Sequence, residues 1–274
     1  GCFGLTGAHG GSDPKWMEER AAVDECKVIL NGNKNWITNA TIADIAVVWM
    51  QTGKVGDHKT IRGFIVENRT TGFKADSIKN KMGLRASDTG MLSFSDCLLR
   101  TWQSLLPGTK DGLSAAYANL NGARYGIGWD AVGIAKACFH EAKEYATHVR
   151  KVRDCYNKLI PLIEAPLTRI KFGRIGDRIL TMQERAWTLA NLIDEVGGIN
   201  TYELSVAASR LKKDNVADAK YVVDVCRQIM GANGLLFEGD KRIARHYVNI
   251  PVVETYEGTE DIHEIIQAEY FAKN

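Results

Sequence analysis

The sequence lacks long apolar runs, concentrations of charge of one sign and paired cysteines, and each absence excludes a class of protein. No stretch of about eighteen consecutive apolar residues occurs in the chain, so no membrane-spanning helix is expected. Its 35 lysines and arginines nearly balance 33 aspartates and glutamates, without a basic block, which argues against a nucleic-acid partner. The first residues also lack the charged and then apolar pattern of a signal peptide.

Cysteines and histidines do not form the spacings that hold metals. None of the cysteines belongs to a CxxC pair, so all are expected to be reduced thiols of an intracellular compartment: Cys2, Cys26, Cys97, Cys138, Cys155 and Cys226. The zincin pattern fails in two places, because Gln267 follows His263 and Glu144 follows His140 where a second histidine is required. No metal is therefore expected, and no Gly-x-Ser-x-Gly motif supports a nucleophilic serine.

The sequence does contain, up to about residue 100, short β-type segments separated by polar turns. Residues 45–50, 62–66 and 91–95 are apolar or alternating and predict strands. Asn31 and Gly32 form the strongest short-range hairpin signal, so residues 28–38 predict a hairpin that turns at this pair. Short strands at such spacing indicate a small barrel or sandwich.

After Pro107 the apolar residues follow a helical period. Residues 113–149, 177–196, 203–230 and 260–272 predict long helices, and their short connections favour an antiparallel bundle. The predicted fold class is therefore α+β and multi-domain. A small antiparallel β-barrel domain covers residues 1–107, and an antiparallel helical bundle covers residues 108–274.

Local patterns leave two candidate sites open in the first half. The glycine-dense segment 4–14 could approach an anion or a flat ring, but it has neither a P-loop nor a Rossmann context and favours a surface loop. Trp36 and Thr38 lie on the same face of a predicted strand. The pair either covers the sheet, which the spacing favours, or frames a planar cofactor.

Two charged residues stand out in the second half. Arg124 interrupts a helix of small and apolar residues and needs a partner, either a carboxylate or an anionic ligand. Glu257 precedes Gly258 just outside the helix that Thr259 can cap. A desolvated Glu257 would have a raised pKa suited to proton abstraction, although a solvated turn glutamate is the simpler interpretation.

Taken together, ordered motifs along the whole chain resemble the acyl-CoA dehydrogenase family, and most of all its glutaryl-CoA dehydrogenase branch. The segments that carry the resemblance are FGLT (3–6) with GSDP (11–14), LNG (30–32) with WITN (36–39), LRAS (84–87) with TGM (89–91), NGARYGI (121–127), MGANG (230–234), and TYEGT (255–259) with DIH (261–263).

The resemblance implies a middle β domain and a C-terminal helical domain, with Glu257 as the catalytic base. It implies that FAD is bound by Phe3, Gly4, Leu5, Thr6, Ser12, Trp36, Ile37, Thr38, Arg169, Met230, Gly231, Ala232, Asn233, Gly234 and Thr259. It implies that the acyl-CoA is bound by Ser12, Tyr117, Asn121, Arg124 and Gly258.

The function implied by the resemblance is FAD-dependent α,β-dehydrogenation of an acyl-CoA. In the glutaryl branch this is the oxidative decarboxylation of glutaryl-CoA to crotonyl-CoA and CO2, in lysine and tryptophan degradation. The electrons pass to electron-transfer flavoprotein, and the enzyme is a homotetramer. The mitochondrial matrix is the expected location in a eukaryote, and the cytoplasm otherwise. The alternatives are a non-decarboxylating short-chain acyl-CoA dehydrogenase and an inactive fragment of such an enzyme.

Three departures from the family pattern are visible. The family's N-terminal helical domain, which carries the residues that read the distal carboxylate, has no counterpart in this sequence. The glutamate expected after Leu5-Thr6 is Gly7. Residues 150–180 are atypical, because the segment that begins at Arg169 comes late and has Lys171 where the family has glutamine.

Overall fold

The computed structural model describes residues 1–100, 104–109, 112–239 and 241–273, which form two compact units, Gly1–Leu120 and Asn121–Asn274. The predicted α+β class is confirmed, because a half-barrel sheet precedes a bundle of helices. The first helix of the bundle begins in the first unit and continues into the second. The domain boundary after residue 107 stays a prediction.

The first unit is built on one mostly antiparallel sheet. Its strands are β1 Cys2–Gly4, β2 Arg20–Val23, β3 Lys27–Thr38, β4 Ile45–Gln51, β5 Ile61–Glu67, β6 Phe73–Ser77 and β7 Thr89–Arg100. Their order is β1-β4-β2-β3-β7-β6, with β5 also paired to β4, and β4 pairs in parallel with β1 and β2. Val48, Phe64 and Leu92 are fully buried and anchor the core of this sheet.

The hairpin predicted at Asn31 and Gly32 is wrong, because β3 runs straight through this pair. One edge of β3 pairs with β2 and the other with β7, so both residues are inside the sheet. Gly32 has φ +124°, and a Cβ there would stand 2.7 Å from Cγ of Glu19. The glycine serves the close approach of two chain segments, and a glycine that permits such an approach has the same sequence signature as one in a turn.

The second unit is a bundle whose helices are α1 Leu113–Glu144, α2 Pro166–Val196, α3 Tyr202–Met230, α4 Ile243–Thr255 and α5 Glu260–Lys273. Small buried residues of α1, such as Ala135 and Ala142, allow close packing against α2 and α3. The side chain of Thr201 caps α3 by accepting a hydrogen bond from the backbone N–H of Leu204 at 3.3 Å. No helix in the described residues is long and apolar enough to cross a membrane.

Two parts of the bundle differ from the predicted helices. A short π-helix, Tyr145–Val149, follows α1, and the atypical segment then begins with a small hairpin of β8 Lys151–Arg153 and β9 Leu159–Pro161. Helix α2 then starts at Pro166 rather than at residue 177, because proline is well suited to the first helical turn. Helix α4 was not predicted at all, and it contains Pro251, which ordinarily interrupts a helix.

We expect Gly32→Ala to destabilise the first unit more than Gly108→Ala. Both glycines have positive φ, but no described atom lies within 4 Å of a Cβ built at Gly108. Gly108→Ala therefore costs only the backbone conformation, about 1–2 kcal/mol. Gly32→Ala adds overpacking against Glu19, about 1–3 kcal/mol more. Urea denaturation of the two variants measures the difference, and equal losses would contradict the role given to Gly32.

Candidate functional site

Glu257 lies in the short turn that joins α4 to α5, and its backbone is strained. Glu257 has φ +56° and Gly258 has φ +101°, so two successive residues occupy the left-handed side of the Ramachandran map. For a residue with a Cβ, this conformation costs roughly 1–2 kcal/mol. The surrounding structure must therefore hold the turn in place.

Two buried cations hold this turn through its backbone carbonyl groups. Arg124 of α1 donates from Nε to the carbonyl oxygen of Glu257 at 3.0 Å. Lys212 of α3 donates from Nζ to the carbonyl oxygens of Glu254 and Gly258, at 2.7 Å each. Arg124 is 8% exposed and Lys212 is 1% exposed. Cation–carbonyl bonds of this kind are stronger than neutral ones, and burial shields them from water.

The side chain of Glu257 is left without such a partner. Its Oε2 is buried and makes no hydrogen bond with any described residue. Burial raises the pKa of this carboxyl group, and the positive charges of Arg124 and Lys212 oppose the rise only in part. The carboxylate is therefore more basic than a solvated one, as a general base requires.

His263 completes the polar cluster behind the turn. Its ring is fully buried, and Nδ1 lies 2.7 Å from Oγ of Ser209. Burial, reinforced by the charges of Lys212 and Arg124, lowers the pKa of His263 to about 3. A Cβ on Gly258 would lie 3.1 Å from Nε2 and Cε1 of the ring, so the position of the imidazole leaves little space for a side chain at residue 258.

The predicted acyl-CoA residues share α1. Asn121 and Arg124 are buried one helical turn apart, and Nδ2 of Asn121 donates to Oδ1 of Asn200 at 3.4 Å. Tyr117 is 39% exposed on the part of α1 that belongs to the first unit. Of the predicted substrate residues in the second unit, Arg124 and Gly258 belong to the cluster around Glu257. The substrate-binding role of all of them stays a prediction.

The predicted FAD residues of the second unit are spread over the bundle. Met230, Gly231, Ala232, Asn233 and Gly234 form the end of α3 and the 3-10 turn after it. Met230, the last residue of α3, lies about 27 Å from Lys212 along the helix axis, at a rise of 1.5 Å per residue. Arg169 is exposed in the first turn of α2, and Thr259 directly precedes α5. Thr259 is therefore next to the Glu257 turn, whereas Arg169 and the segment from Met230 to Gly234 lie on other parts of the bundle.

The predicted FAD residues of the first unit are partly brought together. The backbone N–H of Asn35 donates to the carbonyl oxygen of Thr6 at 3.0 Å, which sets the glycine-dense loop beside Trp36. Trp36 is 62% exposed at φ +62°, and Thr38 is also exposed. Ile37 between them is buried at 3% exposure. An open indole and two hydroxyl groups therefore lie on neighbouring segments.

The other first-unit residues have different surroundings. Gly4 and Leu5 are buried, and the ring of Phe3 lies 6.3 Å from that of Trp49. Ser12 is exposed. The FAD-binding role of this set stays a prediction as well.

A buried ion pair that sequence reasoning missed fixes the glycine-dense loop. Lys34 is 0% exposed, and its Nζ donates to the carbonyl oxygen of Leu5 at 3.0 Å and to Glu19 Oε2 at 3.2 Å. Oε1 of Glu19 accepts the backbone N–H of Ala8 at 2.9 Å. Burial lowers the pKa of Lys34 to about 8, against the favourable charge of Glu19. The alternating pattern of the strand could have revealed that Lys34 is buried, because Lys34 lies on the same face of β3 as the buried residues Val28 and Leu30.

Gly7, where the family resemblance leads one to expect glutamate, is buried against this ion pair. A Cβ at Gly7 would stand 2.7 Å from Oε2 and 2.8 Å from Oε1 of Glu19. The loop therefore receives a carboxylate from residue 19, in the space that a side chain at residue 7 would need.

Comparison with known proteins matches both units to one family. The model of the acyl-CoA dehydrogenase middle domain matches residues 2–97, and that of the acyl-CoA dehydrogenase C-terminal domain matches residues 110–271. The mitochondrial short-chain specific acyl-CoA dehydrogenase of Sus scrofa is 31% identical over 274 residues, which are 100% of this chain and 63% of the relative. An acyl-CoA dehydrogenase of Bacillus subtilis is 30% identical over 98% of this chain and 68% of its own.

Solved structures give the same result. A glutaryl-CoA dehydrogenase from Mycobacterium smegmatis in complex with FADH2 has a TM-score of 0.88 at 34% identity, over 100% of this chain and 66% of that one. The butyryl-CoA dehydrogenase of Megasphaera elsdenii has a TM-score of 0.86 at 28% identity, over 99% of this chain and 67% of that one. The chain thus spans about two thirds of the proteins that it resembles.

We expect Lys34→Met to reduce the free energy of unfolding by about 3–5 kcal/mol, because it leaves the buried Glu19 carboxylate unpaired. Urea denaturation near pH 7 measures the loss. The double variant Lys34→Met/Glu19→Gln should lose less than the sum of the single variants, because no buried charge remains unpaired. The exposed pair of Lys15 and Asp13 provides the control, and Lys15→Met should cost less than about 1 kcal/mol. Additive losses at positions 34 and 19 would contradict the ion pair.

Proposed function

Because the chain belongs to the acyl-CoA dehydrogenase family, we propose that it performs the FAD-dependent α,β-dehydrogenation of an acyl-CoA thioester, with glutaryl-CoA as the favoured substrate. The observation that carries the proposal is Glu257, a half-buried residue with a raised pKa and a buried Oε2 that has no hydrogen-bond partner among the described residues. A group of this kind is suited to removing a weakly acidic proton.

The residues of the first unit fit a flavin. A flat ring system needs an open aromatic or apolar surface with a few polar groups at its edge. Trp36 offers such a surface, the same strand carries Thr38, and the neighbouring loop carries Thr6. FAD, when bound, supplies the acceptor for the hydride that leaves the β-carbon of the substrate. Phe3, Gly4, Leu5, Ser12 and Ile37 are the other proposed FAD contacts of this unit.

In the second unit the proposed FAD contacts are Met230 to Gly234, Thr259 and Arg169. The first group is exposed apart from Met230 and Gly234, and Arg169 is exposed as well. Gly231, Ala232, Asn233 and Arg169 are therefore open to a ligand. An arginine side chain suits a pyrophosphate group, with which it forms charge-assisted hydrogen bonds.

Glu257 is the proposed base, and the turn around it supplies the geometry. Its carboxylate takes the proton from the α-carbon of the thioester. A backbone N–H at Gly258 donates to the thioester carbonyl and thereby stabilises the negative charge that develops on the oxygen. His263 stays neutral at physiological pH because its pKa is about 3, so it does not compete as an acid. Asn121 and Tyr117 are proposed contacts of the CoA moiety.

Arg124 has a second role beside its predicted contact with the substrate. Its Nε already donates to the carbonyl oxygen of Glu257, and the side chain is 8% exposed. Such an arginine acts first on the orientation of the base. Its contact with the acyl-CoA remains a prediction.

Two observations bear on substrate choice and point in different directions. The similarity to the glutaryl-CoA dehydrogenase of M. smegmatis, at 34% identity, favours glutaryl-CoA and decarboxylation. The similarity to the short-chain specific enzyme of S. scrofa, at 31% identity, favours a short-chain substrate without decarboxylation. If the substrate is glutaryl-CoA, we propose that the electron acceptor is electron-transfer flavoprotein and that the enzyme is a homotetramer. The reaction then belongs to lysine and tryptophan degradation. It takes place in the mitochondrial matrix of a eukaryote or in the cytoplasm of a bacterium.

We expect Glu257→Gln to lower the rate at which an acyl-CoA bleaches the bound flavin by about 10²–10⁴-fold, since the amide cannot accept the α-proton. Stopped-flow absorbance near 450 nm, a flavin band, measures the rate. The flavin content should not change, because the amide has nearly the same shape as the carboxyl group. A variant that bleaches at the wild-type rate would refute the assignment of the base.

We expect the FAD-loaded chain to release CO2 and crotonyl-CoA from glutaryl-CoA, because loss of the γ-carboxylate follows dehydrogenation in the glutaryl branch. Trapped CO2 and chromatography of the thioesters measure the two products. Bleaching by butyryl-CoA without CO2 from glutaryl-CoA would favour the short-chain alternative. A protein that stays yellow with every thioester, or never binds flavin, would favour the inactive alternative.

A further inference from the structure

Lys212 is a charged residue in the middle of the buried stripe of α3. One turn before it lies Ala208 and one turn after it Val216, which are 0% and 2% exposed. Lysine is almost never fully buried unless it has partners. Burial at this position, with the charge of Arg124, lowers the pKa of Lys212 to about 8, and Glu254, Glu257 and Glu260 oppose the change. Burying a lysine at this position costs folding free energy that an apolar residue would not cost.

The two bonds of Lys212 join both ends of the Glu257 turn. The carbonyl group of Glu254 belongs to the last turn of α4, where carbonyl groups have no hydrogen-bond partner within the helix. The negative end of the helix dipole is also located there, and it attracts a cation. The carbonyl of Gly258 belongs to the residue after Glu257. A single ammonium group therefore fixes the chain before and after the strained residue.

The charged groups around Lys212 do not offer it a dedicated carboxylate. Both carboxylate oxygens of Glu254 accept from Lys220, at 2.9 and 3.0 Å. Lys213 lies 3.5 Å from Asp214 and 3.8 Å from Glu264. Among the described residues, the other groups that act on Lys212 are Arg124 on α1, Glu257 in the turn, and Glu260 and His263 on α5. The bonds of its ammonium group in the described residues go to backbone oxygens.

We propose that Lys212 is the positioning residue of Glu257. Through its bonds to the carbonyl oxygens of Glu254 and Gly258, it holds the turn in its left-handed conformation. It thereby fixes the position of the Glu257 carboxyl group, whose Oε2 has no hydrogen-bond partner among the described residues. This role rests on the proposed function, in which Glu257 is the base. Arg124 supports the same turn through the carbonyl oxygen of Glu257, and Lys212 supports it on both sides of that residue.

The charge of Lys212 also acts on the acidity of Glu257. A nearby positive charge favours the carboxylate and so lowers the pKa of Glu257. Removing that charge raises the pKa of Glu257 further. A base works only when it is deprotonated. The acid limb of the pH–rate profile, where the rate falls as Glu257 becomes protonated, therefore moves to higher pH.

The test compares Lys212→Met with Lys213→Met, the same substitution one residue further along α3. Hydrogen–deuterium exchange on the apo chain is the first readout and does not depend on activity. We expect exchange in residues 254–260 to accelerate in Lys212→Met and to stay at the wild-type rate in Lys213→Met. Equal exchange in the two variants would overturn the proposal.

The second readout is flavin bleaching by an acyl-CoA as a function of pH. For Lys212→Met we expect a limiting rate about 10²-fold lower, as for a misplaced catalytic group, and an acid limb at higher pH. Lys212→Arg keeps the charge, so its acid limb should stay at the wild-type position, and this variant decides the question if Lys212→Met does not fold. An acid limb displaced equally in Lys212→Arg and Lys212→Met, or in neither, would overturn the proposal.

The two hypotheses fail in different ways. If the wild-type chain binds flavin but no acyl-CoA bleaches it, the proposed function fails, while the exchange experiment still tests whether Lys212 holds the turn. If the wild type is active and Lys212→Met has the rate, pH profile and exchange of Lys213→Met, only the role of Lys212 fails.

Discussion

In each unit of this protein a buried lysine holds a loop in place by bonding to backbone carbonyl oxygens. Lys34 does so for the glycine-dense loop of the first unit, and Lys212 for the Glu257 turn of the second. A backbone carbonyl is a ligand that substitution of its own side chain does not remove. The side chains of the loop can therefore vary without loss of these bonds. The strand or helix that carries the lysine supplies the rigidity. Both lysines are on regular elements, β3 and α3, whose own hydrogen bonds keep them fixed.

Two of the residues proposed for chemistry have a strained backbone. Trp36 and Glu257 both have positive φ without being glycine, at +62° and +56°. In β3 the strain accompanies a shift of register between Lys34 and Ile37 against β7, which turns the indole out of the regular pleat. In the turn after α4 it accompanies the three carbonyl bonds from Arg124 and Lys212. Neither conformation is favourable in isolation, and each persists because its neighbours over-determine it.

The sequence allowed the fold class and most of the elements to be predicted, because β4, β5, α3 and α5 have clear periods. The errors have physical causes. Gly32 was taken for a turn residue although it serves a close approach, and α4 was missed because Pro251 lies inside it. The oddity of Glu257 was visible from its surroundings in sequence. Its two supporting cations were not paired with it, because Lys212 and Arg124 are 45 and 133 residues away from it, and only the folded chain brings them together.

Gly7 and Glu19 have a consequence for how this chain could change over time. The carboxylate of Glu19 fills the space beside Gly7, where a Cβ would approach its two oxygens to 2.7 and 2.8 Å. The two positions therefore constrain each other: a glutamate could enter position 7 only if residue 19 were shorter, and a shorter residue 19 would leave Lys34 without its counterion. Either substitution alone is expected to give a less stable protein, so a carboxylate can move between the two positions only when both residues change together.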